Sequence, residues 1–390
     1  MEGFATKIAA YVDSIRDELA EVNRYIHQNP ELGSQEYKSS RRLVETLTGH
    51  GFAVEMPAAG LETAFVASRS SGSDRPHVAF MCEYDALPNL GHACGHNLIS
   101  TSSLGAGLAV AHLLPELKGK VSLLGTPSEE ILGHSGKVAM IKAGLFKDMD
   151  LAICAHPFNQ TFLGQRALSI NEITVKFAGR SAHPAASQHL GINAYDGVQL
   201  TLVGLSFLRQ QLRPDARVHW GDLKVGGARN IIPDSASVVV CVRASDTGYT
   251  EELTQKAINC AKGAALMTGC QVECDVFEGY RPFRINRTLD RIMTEYLESV
   301  GVPIGEPPRF GLSGSSDSGD VSQVVPGTHP MFQIAPDIAV HSVEFCQAAG
   351  SEAAFERSLA VAKALALTAV RVMTDPQIRA QARADFEAQD

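Results

Sequence analysis

HVAFMCEYDALPNLGHACGHNLISTSSLGAGLAVAHLL, residues 77–114, decides the architecture. Its first part, His77–Cys82, is a short unbroken apolar run, the pattern of a strand buried on both faces. Its last part, Ile99–Leu114, is dense in Gly, Ala, Ser and Leu and predicts a helix able to pack closely. Working outward, strands are expected at Thr63–Ala67, Lys120–Thr126 and Leu151–Ala155, and helices at Lys38–Gly49 and Ser135–Ala143. This alternation predicts an α/β layer with helices packed on a central, largely parallel sheet. Such sheets bind ligands at the carboxyl ends of their strands. CEYDALP, PSEE and HPF fall at three such ends.

The pattern changes near residue 168. Strands at Leu168–Phe177, Val218–Val225, Ala236–Val242 and Cys270–Glu278 alternate with helices at Ile192–Leu212 and Thr250–Thr268. The order β-α-β-β-α-β is ferredoxin-like. The α/β pattern resumes after Pro282, with a helix at Leu289–Val300, a Gly/Ser-rich loop at Gly311–Gly319, a strand at Met331–Ile334 and a long helix at Glu352–Met373. The expected domains are therefore 1–167 with 283–390, interrupted by an inserted domain at 168–282. The first forty residues carry an amphipathic helical pattern through Ile8, Val12, Ile15, Leu19, Val22 and Ile26.

The chain has 390 residues, with Lys+Arg 34 against Asp+Glu 43 and a formal net charge of −9. That balance argues against a nucleic-acid partner, which needs a basic footprint. No run of about 18 apolar residues is present to span a membrane. The N-terminus lacks the basic-then-apolar pattern of a secretory signal. Eight cysteines are scattered along the chain, which reads as reduced thiols in a cytoplasmic protein.

Chemistry concentrates at the strand ends. GHACGHN brings Cys94 and His96 together, a thiolate and an imidazole suited to zinc or another borderline metal. Glu129 and Glu130 follow the Lys120–Thr126 strand. One carboxylate can bind metal while the other takes a proton from an acidified water. His156 ends a strand, and His341 follows the last strand in PDIAVHSVEF. Cys94, His96, Glu130, His156 and His341 thus supply compatible ligand types for two metal ions about 3.5–4 Å apart. Asp85 is placed to orient a ligating His from behind. In the inserted domain, His183 in GRSAHPA and Asn230 in GGARNIIPD lie in turn-forming loops. Both residue types can also donate to a developing oxyanion.

These residues together resemble a known family. The chain is similar to the dinuclear metallohydrolases that include aminoacylase, carboxypeptidase G, acetylornithine deacetylase and succinyl-diaminopimelate desuccinylase. It looks closer to their amidohydrolase branch: hippurate hydrolase, indole-acetyl-amino-acid hydrolases, aminobenzoyl-glutamate hydrolase and related dipeptidase-like proteins. The matching stretches are HQNPELGSQEY, CEYDALPNLGHACGHN, GTPSEE, GKVAMIKAGLF, GRSAHPA, GGARNIIPDSA and VHSVEF, spread from residue 27 to 345. The resemblance implies that Cys94, His96, Glu130, His156 and His341 are the metal ligands and that Glu129 is the general base and later proton donor. It further implies that His183 acts in trans in a homodimer, that Asn230 contacts substrate, and that the inserted domain is a lid and dimerisation domain. Two divalent ions follow, zinc first, manganese or cobalt as alternatives.

Two departures bear on specificity. Asn97 stands where many members of the branch read Asp. GLSGSSDSGDVSQVVPG looks more like the aminobenzoyl-glutamate hydrolase and lysine- or ornithine-dipeptidase subgroup. Arg229 is a candidate clamp for a substrate carboxylate. The expected activity is metal-assisted hydrolysis of the amide bond of a small N-acyl amino acid, an aminobenzoyl-glutamate-like compound or a dipeptide. The alternatives are an exopeptidase on longer peptides and an inactive metal-binding regulatory protein.

Overall fold

The structure is a computed structural model that describes residues 1–164, 167–306 and 314–388. Within them the chain divides into two compact units. The first takes residues 1–164, 283–306 and 317–388, and the second takes 167–282 with 314–316. Residues 311–313 of the Gly/Ser-rich loop lie outside the described residues.

The first unit is built on five strands: β1 (Ala53–Glu55), β2 (Phe65–Ser70), β3 (His77–Cys82), β4 (Lys120–Gly125) and β5 (Leu151–Ile153). Their order is β1-β2-β4-β3-β5. β3 is buried along its whole length, between β4 and β5, and runs parallel to both. β2 pairs antiparallel with β4 and with β1. The sheet is therefore mixed rather than largely parallel. The reason is local: residues 71–76 between β2 and β3 are too few for the crossover that a parallel return requires. Because β3, β4 and β5 run the same way, Glu83, Thr126 and Cys154 leave the sheet on one edge.

His156 does not end β5. It opens a separate strand, β6 (His156–Phe158), which pairs in parallel with Met331–Gln333. The helix after β3 runs His96–His112, starting three residues before the sequence pattern suggested. Gly95 sets that start. It holds φ at +77°, and a Cβ on it would lie 2.8 Å from Pro157 Cγ. All but the last residue of this helix are buried, so it has no polar face to show in its sequence. Ser100 and Ser103 donate to Glu83 O and Met81 O, both at 2.6 Å, which ties the helix to β3 and the turn after it. The helices Glu2–Ser14, Arg16–Gln28 and Glu352–Thr374 contribute to the same core through Ile8, Val12, Leu19, Val22, Leu359 and Leu365. One further helix, Pro376–Glu387, starts where Asp375 accepts the N–H groups of Gln377 and Ile378.

The second unit carries β7 (Ser169–Ala178), β8 (Arg217–Val225), β9 (Ser235–Ala244) and β10 (Gln271–Glu278) in the antiparallel order β10-β7-β9-β8. Helices Ala194–Leu208 and Thr247–Thr268 complete β-α-β-β-α-β. Its own core joins Ile173, Val175 and Phe177 of β7 to Val238 and Val240 of β9 and to Leu205 and Leu253 of the helices. The remaining strand of the first unit, β11, is Met331–Gln333.

Candidate metal centre

The edge at the ends of β3 and β4 gathers the expected ligands. Cys94 Sγ lies 3.4 Å from His156 Nε2. His96 Nε2 lies 3.8 Å from Glu130 Oε1 and 3.9 Å from Glu129 Oε2. His341 Nε2 lies 3.6 Å from the same Glu130 Oε1. Three sets each bring their ligand atoms within 4.8 Å of one another: Cys94–His96–His156, Cys94–Glu130–His341 and His96–Glu129–Glu130. Two ligands on one tetrahedral zinc stand about 3.3–3.8 Å apart, given bonds of about 2.0–2.3 Å. The separations here fit that spacing.

Two of the three imidazoles are oriented by their other nitrogen. His96 donates from Nδ1 to Asp85 Oδ1 at 3.0 Å, and His156 from Nδ1 to Pro157 O at 2.7 Å. Both Nε2 lone pairs are thereby left for a cation. Asp85 also accepts the N–H of Glu130 through Oδ2 at 2.9 Å, so one carboxylate sets two of the expected ligands. His341 is pinned by its backbone N–H to Ala93 O at 2.9 Å, beside Cys94.

The polar accounting fits a bound cation. His96 Nε2, Glu130 Oε1 and Glu83 Oε2 are buried without a hydrogen-bond partner among the described residues. Unpaired buried atoms of this kind are costly and call for an unseen partner. Burial, and then the charges of Glu130, Glu83 and Asp317, raises the Glu129 carboxyl well above its usual range. Burial favours the neutral acid for Glu130 too, but His341 and His96 outweigh it and hold that group down. Neighbouring carboxyls whose affinities are pushed apart suit one ligand and one proton carrier. Burial, followed by Glu130, raises the Cys94 thiol. A bound divalent ion would reverse that preference, since a coordinating thiol is deprotonated.

Sequence reasoning missed a buried ionic chain beside this centre. Glu83, which lies 3.6 Å from His96 Nε2, receives Lys137 Nζ on its other oxygen at 2.8 Å. Lys137 also pairs with Asp317, which accepts the Ser135 hydroxyl at 2.6 Å. Lys137 has no solvent exposure. A fully buried lysine leaves no mark in a periodicity pattern, although CEYD and GKVAM both carried charges inside apolar stretches.

Two residues of the HACGHN motif face elsewhere. His92 is buried and directs Nε2 to Ile26 O at 3.1 Å, and burial lowers its pKa to about 3. Asn97 donates to Asn23 Oδ1 at 2.8 Å and to Ala349 O at 2.9 Å. The departure at Asn97 thus concerns helix packing and not the ligand cluster.

His183, Arg229 and Asn230 belong to the second unit and are all exposed. His183 Nδ1 accepts the N–H groups of Ala185 and Ala186 at 3.2 and 3.1 Å, which frees Nε2 as a donor. Ile232 N donates to Ala182 O at 3.0 Å, joining the His183 loop to the Arg229–Asn230 turn.

Comparison with known proteins agrees with this chemistry. Residues 79–368 match the family described as Peptidase family M20/M25/M40. A Xaa-Arg dipeptidase of Mus musculus is 38% identical over 99% of this chain and 93% of its own length. One of the subunits of the p-aminobenzoyl-glutamate hydrolase of Escherichia coli (strain K12) is 33% identical over 75% of this chain and 64% of its own length. Among solved structures, a dinuclear metal binding peptidase of the M20 family from Bacillus subtilis superposes with a TM-score of 0.67 at 20% identity. It covers 90% of this chain and 98% of its own.

Proposed function

The chain belongs to peptidase family M20/M25/M40, and from that membership we propose that it is a dipeptidase whose reaction runs through Glu129 at a two-ion centre. The activity class follows from the family: a metal-dependent hydrolase of the amide bond in dipeptides and N-acyl amino acids. The choice of a dipeptide substrate is supported by the near full-length similarity to the Xaa-Arg dipeptidase. The carrying observation is the convergence of Cys94, His96, Glu130, His156 and His341, with Glu129 among them. We assign those five as ligands of two divalent ions. Zinc suits the thiolate, with manganese or cobalt as alternatives.

When bound, such ions acidify a water and polarise the scissile carbonyl. Glu129 takes one proton of the attacking water as the new C–O bond forms, and returns it to the leaving amine nitrogen as the C–N bond breaks. Asp85 holds His96 and the Glu130 peptide in place. His183 donates from Nε2 to the oxyanion. Asn230 contacts the substrate, and Arg229 meets its carboxylate.

His183 acts in trans, from the second subunit of a homodimer. The outer face of the second unit supports an interface: Phe207, Met267 and Leu266 are 71%, 68% and 87% exposed. Met267 also lines one groove with Leu200 and Val203, and an exposed apolar patch of this kind marks an association surface. The eight free thiols suit a cytoplasmic setting. Among the described residues no helix is long and apolar enough to cross a membrane.

The test is a hydrolysis screen over Xaa-Arg and other dipeptides, N-acyl amino acids, aminobenzoyl-glutamate and tripeptides, each with added zinc, manganese or cobalt. A dipeptide should turn over fastest. Glu129→Gln should keep both ions and lose about 10²–10⁴ in kcat. Full turnover by that variant would remove the assigned base.

A further inference from the structure

The stretch HQNPELGSQEY, residues 27–37, supplies no metal ligand, yet near its end stands a carboxyl group with no solvent exposure, Glu36. Glu36 Oε1 accepts the backbone N–H of Ser128 at 2.8 Å. Its Oε2 accepts the Thr63 hydroxyl at 2.9 Å. Ser128 directly precedes Glu129 and holds φ at +62°, a conformation a non-glycine residue keeps only when its surroundings enforce it. The surroundings do so in two further ways. The Ser34 and Ser128 hydroxyls meet at 2.9 Å. Gly33 approaches so closely that a Cβ on it would lie 2.7 Å from Ile131 Cδ1 and 3.1 Å from Ser128 Cα.

On the other side of Glu129, Asp85 Oδ2 accepts the N–H of Glu130 at 2.9 Å. The Pro127–Ser128 peptide before Glu129 and the Glu129–Glu130 peptide after it are therefore each tied to a different buried carboxyl group. The Asp85 tie also serves the ligands His96 and Glu130, while among the described residues the Glu36 tie serves the Ser128 N–H and Thr63 alone.

We propose that Glu36 is the positioning residue of Glu129, fixing the Ser128 peptide and so the place where the Glu129 carboxyl group meets water and leaving amine. This rests on Glu129 being the base. A proton carrier works only within hydrogen-bond reach, and a misplacement of about 1 Å can cost about 10²-fold. The role requires reach to the Ser128 N–H rather than negative charge. A glutamine retains it: the amide oxygen accepts from Ser128, and the amide N–H₂ turns to the Thr63 hydroxyl. An aspartate keeps the charge but falls a methylene short.

The experiment measures kcat, KM, bound metal per chain and melting temperature for Glu36→Ala, Glu36→Gln, Glu36→Asp, Thr63→Ala and Glu129→Gln. Glu36→Ala should lower kcat about 10–100-fold, with KM and metal content unchanged. Glu36→Gln should recover most of the wild-type kcat, and Thr63→Ala should retain it. If Glu36→Ala does not fold, the order Gln above Asp carries the test. The proposal is overturned by a folded Glu36→Ala with wild-type kcat, by metal lost in step with activity, by Thr63→Ala matching Glu36→Ala, or by Asp surpassing Gln. If Glu129→Gln itself turns over normally, the base assignment has failed. If Glu129→Gln is inactive and the Glu36 variants are normal, only the positioning role has failed.

Discussion

Lys137, without solvent exposure, places its ammonium 2.8 Å from Glu83 Oε1, and the same ammonium pairs with buried Asp317. A buried cation between two carboxylates is held by its partners, and removing it strands two anions in low dielectric. Breaking such a set typically costs about 3–5 kcal/mol. Lys137→Met should therefore lower unfolding free energy by about that much in denaturant titrations. Adding Glu83→Gln and Asp317→Asn should recover a large part of the loss. A Lys137→Met protein of wild-type stability would show the chain to be energetically idle.

Asp85 should govern metal affinity without being a ligand. Its two oxygens hold His96 Nδ1 and the Glu130 N–H. Loss of such an orienting carboxylate typically weakens metal binding about 10–100-fold. Asp85→Ala should show that shift in competition dialysis against a chelator, with the fold preserved in circular dichroism.

The proposed trans role of His183 has a complementation readout. His183→Ala alone should lower kcat about 10²–10³-fold, the usual cost of one oxyanion donor. Mixing it with Glu129→Gln and allowing subunit exchange should restore about a quarter of wild-type activity. Half of the dimers are then mixed, and each mixed dimer holds one intact site of two. No recovery from exchanged subunits would place His183 in cis or outside the reaction. Phe207→Glu with Leu266→Arg should abolish the dimer in sedimentation and the recovery with it.

Asp290 should leave a signature in the pH dependence of stability. It is half-buried and accepts the Thr328 hydroxyl at 2.6 Å, and desolvation, partly offset by that bond, raises its pKa to about 6. The folded state thus keeps a proton that the unfolded chain loses near pH 4. Stability from this group is complete below about pH 4 and is lost as pH rises through about 6, by about 3 kcal/mol in all. Asp290→Asn cannot lose that proton. Its unfolding free energy relative to wild type, measured metal-free, should grow between pH 4 and pH 7. A difference that stays flat with pH would contradict the shift.

Much of the fold was legible because it is written in short-range patterns. The unbroken apolar run His77–Cys82 announced a central strand, and alternation through SINEITVKF announced β7. The edge strand Ala53–Glu55 was not legible, since three residues with an exposed face carry too little pattern. The antiparallel direction of β2 followed from a short connection and not from composition. The ligand types were readable because Cys, His and Glu at strand ends have few common structural uses in such numbers.

The sequence by itself determined the kinds of side chain available, the central strands of the first unit and the βαββαβ order of the second unit. Partnership was decided only by the tertiary structure. His92 and His96 lie four positions apart in one motif, yet one bonds Ile26 O and the other faces the ligand cluster. Glu36 meets Ser128 across 92 positions, and Lys137 meets Asp317 across 180. Periodicity reports which face of a local element is buried. Which buried polar groups then satisfy one another depends on how those elements pack, and no local pattern encodes it.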